Sequence, residues 1–323
     1  MLTTTSIQIE SFETFAAHWP ASNDGLHWSS PFVTPFWLET VFRHLGAPGE
    51  PHIVAVKADG RLIGFAPLAL KGATAHFLGT HEVCDYQDLV CVPGCEVQVL
   101  DALLDHLAGL GIREMDLRTL RPDSQMIGAL RRRALPAWEA GLGPDEVTFE
   151  TPLPADWEGY LGQLDGKQRH EVRRKVRRLE NQSDFTYGPL ADPEAGADLF
   201  VRLFRRNRAD KADFMNDTMV GYFRALINVL AHRGLLRLMF LQVAGEPAAG
   251  VLCFDYDGVR YLYNSGYEER YEPLSVGILS KVFSIRDAVA GGCRQYDFLK
   301  GAEIYKRRIG GRELPLHRCR FTL

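Results

Sequence analysis

The strongest constraint on the fold is a weak internal repeat, in which a hairpin, a strand, a helix and a final strand follow one another twice. In the first half, residues 51–72 (PHIVAVKADGRLIGFAPLALKG) predict two strands joined by a tight turn at Asp59 and Gly60. In the second half, residues 236–258 (LRLMFLQVAGEPAAGVLCFDYDG) repeat the pattern, with a turn near Gly245. Such a repeat indicates two domains of one kind.

The elements that follow each hairpin have the same order and similar spacing. In the first half they are a strand region at 75–92, a helix at 96–111 and a short strand at 114–120. In the second half they are a strand at 259–267, a helix at about 275–290 and a strand at 295–299. This order predicts the α/β class with mixed sheets. We place one domain at 1–150 and the other at 151–323, where a proline-marked connection (TPLPADW) leads into a basic helical segment.

The basic segment is local, because the chain as a whole is acidic. The stretch GKQRHEVRRKVRRLE stands in a protein of 323 residues with a formal net charge of −4 and a pI of about 6.2. A protein that coats nucleic acid usually carries a basic excess. The balance therefore favours a specific anion site over general polyanion binding.

The sequence also allows predictions of where the protein is located and of whether it binds a metal ion. The N-terminus has no basic region followed by an apolar core, and no apolar run reaches the length that spans a bilayer. The six cysteines form no CxxC pair, so we expect reduced thiols and no metal site. We predict a cytoplasmic protein, with contact to the inner face of the membrane as an open alternative.

A helix start in the second half suits an anionic ligand. Pro273 and Ser275 precede the helix, Ser275 is a plausible N-cap, and Gly277 lies in the first turn. A strand that ends in such a loop leaves backbone N–H groups and the positive end of the helix dipole facing one point. Most helix starts bind nothing, so this pattern alone is weak.

Several ordered motifs resemble one family. YNSGYEERYEPLSVGILSKVF, YDFLKGAEIYKRR, CDYQDLV, FVTPFWLETVFRHLG and KQRHEVRRKVRRLE resemble the CelD-type (cellulose-biosynthesis-associated) acetyltransferases of the GNAT superfamily, which are relatives of the Fem-type aminoacyl transferases. The matching residues are Ser265, Gly266, Tyr267, Tyr271, Ser275, Gly277, Asp297, Phe298, Leu299, Gly301, Glu303, Tyr305 and Lys306. The resemblance implies two tandem GNAT-like domains linked by the basic helical segment.

The resemblance further implies an N-acyltransferase. The expected donor is a coenzyme A thioester (acyl-CoA), bound by Ser275, Val276 and Gly277, and the expected acceptor is the amine of an amino sugar or of a sphingoid-type lipid. The corresponding stretch EPLSVGIL has one glycine, whereas single-domain GNAT enzymes carry a glycine-rich loop there. Two alternatives therefore stay open: a Fem-like transferase that uses aminoacyl-tRNA, and a non-catalytic binding protein with a GNAT fold.

Charged groups near the end of the last strand of the second half are candidates for proton transfer or for stabilising an oxyanion. They are Asp297, Glu303 and Lys306, and Tyr305 is a candidate substrate contact. A structural salt bridge that holds the C-terminal segment is the alternative.

The first half offers a second group in HEVCDYQDL. An amine must lose a proton on transfer, and Asp85 or His81 is a candidate base, while Tyr86 and Asp88 are candidate substrate contacts. On a strand, Asp85 and Asp88 would face opposite sides. Nothing favours Cys84 as a nucleophile.

The remaining candidate residues are tyrosines of one strand and arginines of the basic helix. Strand alternation would place Tyr261, Tyr263 and Tyr267 on one face, where they would line an acceptor or acyl channel or simply a half-buried sheet. In the basic helix, Val172, Val176 and Leu179 form an apolar docking stripe at helical spacing.

Arg169 and Arg173 lie in one charged row of that helix. We expect them to contact a phosphate of the donor or acceptor. Contact with lipid headgroups or tRNA and a solvated face are the alternatives.

Overall fold

The chain divides into two units. A computed structural model describes residues 4–19, 25–133, 141–207 and 213–323. One unit comprises Met1–Glu146 and Pro315–Leu323, and the other comprises Val147–Leu314. The sequence-based division at residue 150 does not anticipate the return of the last segment to the first unit.

The first unit is a mixed sheet with helices. Its strands are β1 (Thr5–Glu10), β2 (Glu50–Ala58), β3 (Arg61–Lys71), β4 (Thr74–Phe77), β5 (Val90–Cys91) and β6 (Glu114–Leu120). Its helices are α1 (Phe12–Ala16), α2 (Pro35–Leu45), α3 (Glu96–Gly109) and α4 (Gln125–Arg133), with a short 3₁₀ helix at Pro31–Val33. The strand order is β1-β2-β3-β4-β6, β5 pairs with β3, and β4 and β6 are parallel. The predicted mixed α/β class is confirmed.

The first predicted hairpin is confirmed. Asp59 and Gly60 have φ of 47° and 80°, as a tight turn of two left-handed residues requires, and β2 pairs antiparallel with β3 on either side. Helix α3 then buries Val99, Leu100 and Leu103 against the sheet, because these residues fall on one face of the helix.

The strand predicted across residues 75–92 is wrong in its middle. Only β4 and β5 form, and residues 78–89 are turns and loop. Val83 and Cys84 donate backbone hydrogen bonds to the carbonyl of Thr80, and Tyr86 has a φ of 52°. Strand alternation therefore does not apply to Asp85 and Asp88, and both are buried.

The second unit repeats the plan. Strand β7 (Leu142–Pro152) begins in the first unit and belongs to the second unit from Val147 on. The strands that lie wholly in the second unit are β8 (Phe185–Gly188), β9 (Leu236–Val243), β10 (Glu246–Tyr256), β11 (Val259–Tyr267) and β12 (Gln295–Lys300). Strand β13 (Arg312–Thr322) begins in the second unit and belongs to the first unit from Pro315 on. Its helices are α5 (Trp157–Gln163), α6 (Gly166–Gln182), α7 (Pro193–Asn207), α8 (Asp217–His232), α9 (Val276–Ala290) and α10 (Ile304–Arg308), with a 3₁₀ helix at Glu269–Leu274. The strand order is β7-β12-β11-β10-β9-β8.

Three sequence expectations hold in this unit. The hairpin turn lies at Ala244 and Gly245, with φ of 50° and 79°. The predicted helix start and end agree with α9. Helix α6 docks through buried Val172 and Leu179, with the half-buried Val176 beside them, as the apolar stripe predicts.

Helix α7 packs directly on the backbone of β11. A Cβ at Gly266 would lie 2.5 Å from the backbone nitrogen of Phe204 in α7, so only glycine permits this approach. Among the described residues, no helix is both long and apolar enough to span a membrane.

Gly266→Ala should lower the free energy of unfolding by about 1–3 kcal/mol, because helix and strand must move apart. The matched control is Gly162→Ala in α5, where nothing lies within 4 Å of the added methyl group. That change should raise stability by up to about 1 kcal/mol. Urea denaturation of both variants checks the pair, and equal stability of the two would contradict the close packing.

Candidate functional site

The parallel pairing in the second unit stops early and leaves an opening. Strand β11 pairs with β12 only over Val259–Tyr261 and Gln295–Asp297, although β11 continues to Tyr267. Strand β12 shifts its register against β7 after Asp297, and Leu299 takes a φ of 58°. The carboxyl-terminal ends of two parallel strands thus separate, which is where ligands commonly bind in α/β sheets.

Helix α9 begins beyond this opening, as predicted, but Ser275 does not cap it. Ser275 has a left-handed φ of 59° and its side chain makes no capping hydrogen bond. Its hydroxyl instead accepts a hydrogen bond from Lys175 Nζ at 2.9 Å. A cation from α6 therefore lies at the first turn of α9, next to Val276 and Gly277.

The predicted row of three tyrosines is wrong for Tyr267, because a bulge interrupts the strand, whereas Tyr261 and Tyr263 both lie against the ring of Phe254. Leu252 pairs with Asn264 and Cys253 with Leu262, which leaves Tyr263 as an extra residue in β11. The Tyr263 hydroxyl lies 3.0 Å from that of Tyr222 in α8.

Tyr267 faces the other helix layer. Its ring lies against Gly277 of α9, where a Cβ would be 2.8 Å away, whereas its neighbour Gly266 faces α7. Tyr261 stacks on Phe254, with ring centroids 5.3 Å apart. Tyr267 is therefore the tyrosine of this set that lies at the start of α9.

Lys306 is almost fully buried and holds the turn after β12. Its ammonium donates to the carbonyls of Leu299, Lys300 and Gly301 at 2.9, 2.6 and 3.0 Å. It also pairs with the Glu303 carboxylate at 2.9 Å. These contacts occupy its donors and fix the backbone at the edge of the opening.

Asp297, Tyr305 and Lys281 lie on the elements around this turn. Asp297 is buried and accepts the backbone N–H of Leu299 at 2.7 Å. Burial raises the pKa of Tyr305 well above its usual range. Its ring lies under the Lys281 ammonium, 4.8 Å from nitrogen to ring centroid.

Sequence reasoning missed Lys281, which is only 5% exposed and donates to the Gly277 carbonyl at 2.7 Å. A single lysine in an apolar helix gives no pattern by which burial could be recognised. Lys281 connects the first turn of α9 to the Tyr305 ring and so positions both.

The arginines of α6 line a cleft with α5. The cleft has a volume of about 540 Å³, and its lining includes Trp157, Glu158, Leu161, Arg169, His170, Val172, Arg173 and Arg177. Arg173 pairs with Glu158 at 2.7 Å, and Arg169 donates to the carbonyls of Leu161 and Leu164. Several guanidinium groups thus surround an apolar floor.

The first unit has its own pocket where β4 and β6 stop pairing. Only Thr74 and Ala75 pair with β6, and a cavity of about 240 Å³ opens beyond them. His81 lines this cavity and is exposed, with its Nδ1 3.6 Å from the Glu82 carboxylate. Cys84 is fully buried.

Asp85, Tyr86 and Asp88 do not line that cavity. Tyr86 is buried edge-on against Phe32, and the Arg121 guanidinium lies 5.0 Å from its ring centroid. Asp85 is also buried.

Asp88 caps α4. It accepts the backbone N–H groups of Gln125 and Met126 at 2.7 and 2.9 Å. Burial raises its pKa to about 7, although these N–H donors lower it. Its contacts are those of a helix cap.

Asp88→Ala should lower the free energy of unfolding by about 2 kcal/mol, because it leaves buried N–H groups of α4 without an acceptor. Asp192→Ala removes the exposed cap of α7, which accepts from Glu194 and Ala195, and should cost about 1 kcal/mol or less. Thermal and urea unfolding of both variants measure the difference. A substrate-binding defect in Asp88→Ala without loss of stability would contradict the capping role.

Among the described residues, no group of three or more His, Cys, Asp or Glu side chains could hold a metal ion. The six cysteines are all free thiols.

Comparison with known proteins supports the same fold. The family model described as an acetyltransferase (GNAT) domain matches residues 166–307. No curated protein matches this sequence at a significant level.

Similar solved structures span almost the whole chain. FemX superposes with a TM-score of 0.66 and 13% identity, covering 98% of this chain and 97% of its own. A tandem GNAT protein from the clavulanic acid biosynthesis pathway has a TM-score of 0.51 and 15% identity, covering 99% and 98%.

The C-terminal domain of a putative lysylphosphatidylglycerol synthetase from Agrobacterium fabrum has a TM-score of 0.52 and 11% identity, covering 87% and 90%. At these identities the likeness shows the fold alone. The expectation of two GNAT-like domains is confirmed, and the narrower resemblance to the CelD type stays a prediction.

Proposed function

We propose that the protein is an N-acyltransferase that moves an acyl group from acyl-CoA to an amine. The observation that carries the proposal is the early end of the β11–β12 pairing, which opens beside the start of α9. This opening lies within residues 166–307, the segment that the GNAT acetyltransferase model matches. The fold is therefore of an acyl-transferring type, and the donor and acceptor are our inference.

The donor site combines backbone donors and cations. The first turn of α9, at Ser275, Val276 and Gly277, offers N–H groups and the positive end of the helix to a pyrophosphate. Lys175, whose ammonium reaches Ser275 and pairs with Glu171 at 3.2 Å, places a cation there. Arg169 and Arg173 of the α5–α6 cleft offer guanidinium groups to a further phosphate.

The proposed reaction is direct transfer. The neutral amine attacks the thioester carbonyl, the carbon–sulfur bond breaks, the amide forms, and coenzyme A leaves as a thiolate that water protonates. His81 is the proposed acceptor of the amine proton, because it is exposed at a pocket while Asp85 is buried. Lys306 and Glu303 act by fixing the turn at the edge of the donor site, with Asp297 and Tyr305 beside them.

The proposed acceptors are an amino sugar or a sphingoid-type lipid amine, in cell-envelope, polysaccharide or lipid biosynthesis. The proposed place of action is the cytoplasm, with contact to the inner face of the membrane for a lipid acceptor.

A second candidate donor is aminoacyl-tRNA. The likeness to FemX and the exposed arginines of α6 favour it, since phosphate contacts through arginine serve RNA as well as a small ligand. A non-catalytic binding protein is the third candidate.

A thiol-release assay across acyl-CoA chain lengths, with pooled amine acceptors and mass spectrometry of the product, separates the three. We expect acceptor-dependent thiol release. Product formation from charged tRNA alone, abolished by ribonuclease, would replace the first proposal with the second. Ligand binding without any product would replace it with the third.

Arg173→Ala should raise the KM for acyl-CoA about tenfold, because one charge-assisted contact to phosphate is lost. Its pairing with Glu158 is half exposed, so the melting temperature should change little. Arg178→Ala on the same helix is the control, because Arg178 contacts Gln182 and is not among the residues that line the cleft. Equal kinetics in the two variants would remove Arg173 from the donor site.

A further inference from the structure

Two histidines of the first unit meet where α3 packs on β2. The Nε2 atoms of His52 in β2 and His106 in α3 lie 2.9 Å apart. The ring planes are inclined by only 6° and the ring centroids are 5.2 Å apart, so the rings meet edge to edge. In the described parts of the chain, the two imidazoles hydrogen-bond only to each other.

The backbone fixes both rings at this distance. His52 lies inside β2, where it pairs with Leu68 of β3. His106 lies in the last turn of α3, between Leu103 and Leu107, which are both fully buried. Neither histidine is in a loop, so the pair is preorganised and loses little freedom when it binds a ligand.

The separation of the two nitrogens fits two ligands of one metal ion. Imidazole nitrogens bind zinc at about 2.0–2.1 Å, and two such bonds at a right angle place the nitrogens about 2.9 Å apart. Right angles between neighbouring ligands are typical of Cu²⁺ and Ni²⁺, whereas tetrahedral Zn²⁺ needs a wider separation. The distance between His52 and His106 therefore favours Cu²⁺ and Ni²⁺.

A bound metal ion replaces the hydrogen bond between the rings. That bond needs a hydrogen on one Nε2 and a lone pair on the other, whereas a metal ion needs a lone pair on both. The donating ring therefore carries its hydrogen on Nδ1 in the metal complex, and no proton is released. Each ring also turns to aim its lone pair at the ion, and the χ2 angle of histidine has broad minima that permit this.

We propose that His52 and His106 form a binding site for one divalent transition-metal ion, Cu²⁺ more tightly than Ni²⁺, which fastens α3 to β2. Two imidazoles suit these ions, whereas Ca²⁺ and Mg²⁺ prefer oxygen ligands. Since no group of three or more His, Cys, Asp or Glu side chains was found among the described residues, water completes the coordination.

This site is independent of the proposed transferase, because neither histidine belongs to the donor site or to the pocket that His81 lines. The cysteine pattern, from which we expected no metal site, does not concern a pair of histidines.

Electron paramagnetic resonance of the full chain with one equivalent of Cu²⁺ tests the proposal. The parent protein for this test is Cys95→Ser, because Cys95 is the one cysteine that is not buried and its thiol is itself a copper ligand. We expect the spectrum of a tetragonal ion coupled to two imidazole nitrogens.

His52→Gln and His106→Gln should each weaken Cu²⁺ binding by about tenfold or more in calorimetric titration, since loss of even an outer-shell partner of a metal ligand costs that much. His232→Gln is the matched control and should leave Cu²⁺ affinity unchanged. His232 lies in α8 of the second unit, with its Nδ1 2.8 Å from the carbonyl oxygen of Asn228.

Unchanged Cu²⁺ affinity in both ligand variants would overturn the proposal, as would a parent spectrum with coupling to fewer than two nitrogens. Binding of Zn²⁺ more tightly than Cu²⁺ would contradict the tetragonal geometry.

Melting temperatures distinguish a metal site from a pair that only supports the fold. Without metal, His106→Gln should melt close to the parent, because one hydrogen bond between partly buried rings is lost. Excess Ni²⁺ should raise the melting temperature of the parent and not that of His106→Gln, because the ion binds the folded pair. An equal shift in the two proteins would place the ion elsewhere and overturn the proposal.

Discussion

The candidate site depends on the hydrogen-bond ladder between β11 and β12, which stops before β11 ends. In the second unit, β11 and β12 share only three residue pairs before they part. Backbone groups beyond that point must find other partners, because buried N–H and C=O groups are costly when unpaired. The Lys306 ammonium is one such partner, because it donates to three successive carbonyls at the end of β12, those of Leu299, Lys300 and Gly301.

The hydrogen bonds from Lys306 fix the backbone at the edge of the opening. The turn at residues 299–301 is held by an ammonium that is almost inaccessible to solvent, while Lys281 connects the start of α9 with the ring of Tyr305. Cations that anchor backbone carbonyls make a rigid frame, and rigid frames suit a site that must orient a donor. In the first unit the β4–β6 pair ends even earlier, and Asp116 of β6, beyond the last residue pair, accepts two hydrogen bonds from Arg318.

The sequence predicted the elements well where local chemistry decides them. Tight turns at Gly60 and Gly245, the strand from Val259 to Tyr267 and the docking stripe of α6 all follow from turn residues and periodicity. These features depend on neighbours in sequence, so one chain is enough to recognise them.

The site was predicted less well, because its parts depend on contacts between distant segments. An extra residue at Tyr263 ends the alternation of the tyrosines, and a positive φ at Tyr86 breaks the expected strand. Asp88 looked like a substrate contact but caps a helix whose first residue, Gln125, is far away in the chain. Burial of Lys281 leaves no periodic trace in the sequence.

The most direct test of the central claim is a crystal structure of the protein with a non-transferable acyl-CoA analogue. We expect the pyrophosphate at the first turn of α9, near Ser275 and Lys175, with the pantetheine arm between the separated ends of β11 and β12. An analogue bound in the pocket of the first unit, or one excluded from the second unit while charged tRNA binds there, would contradict it.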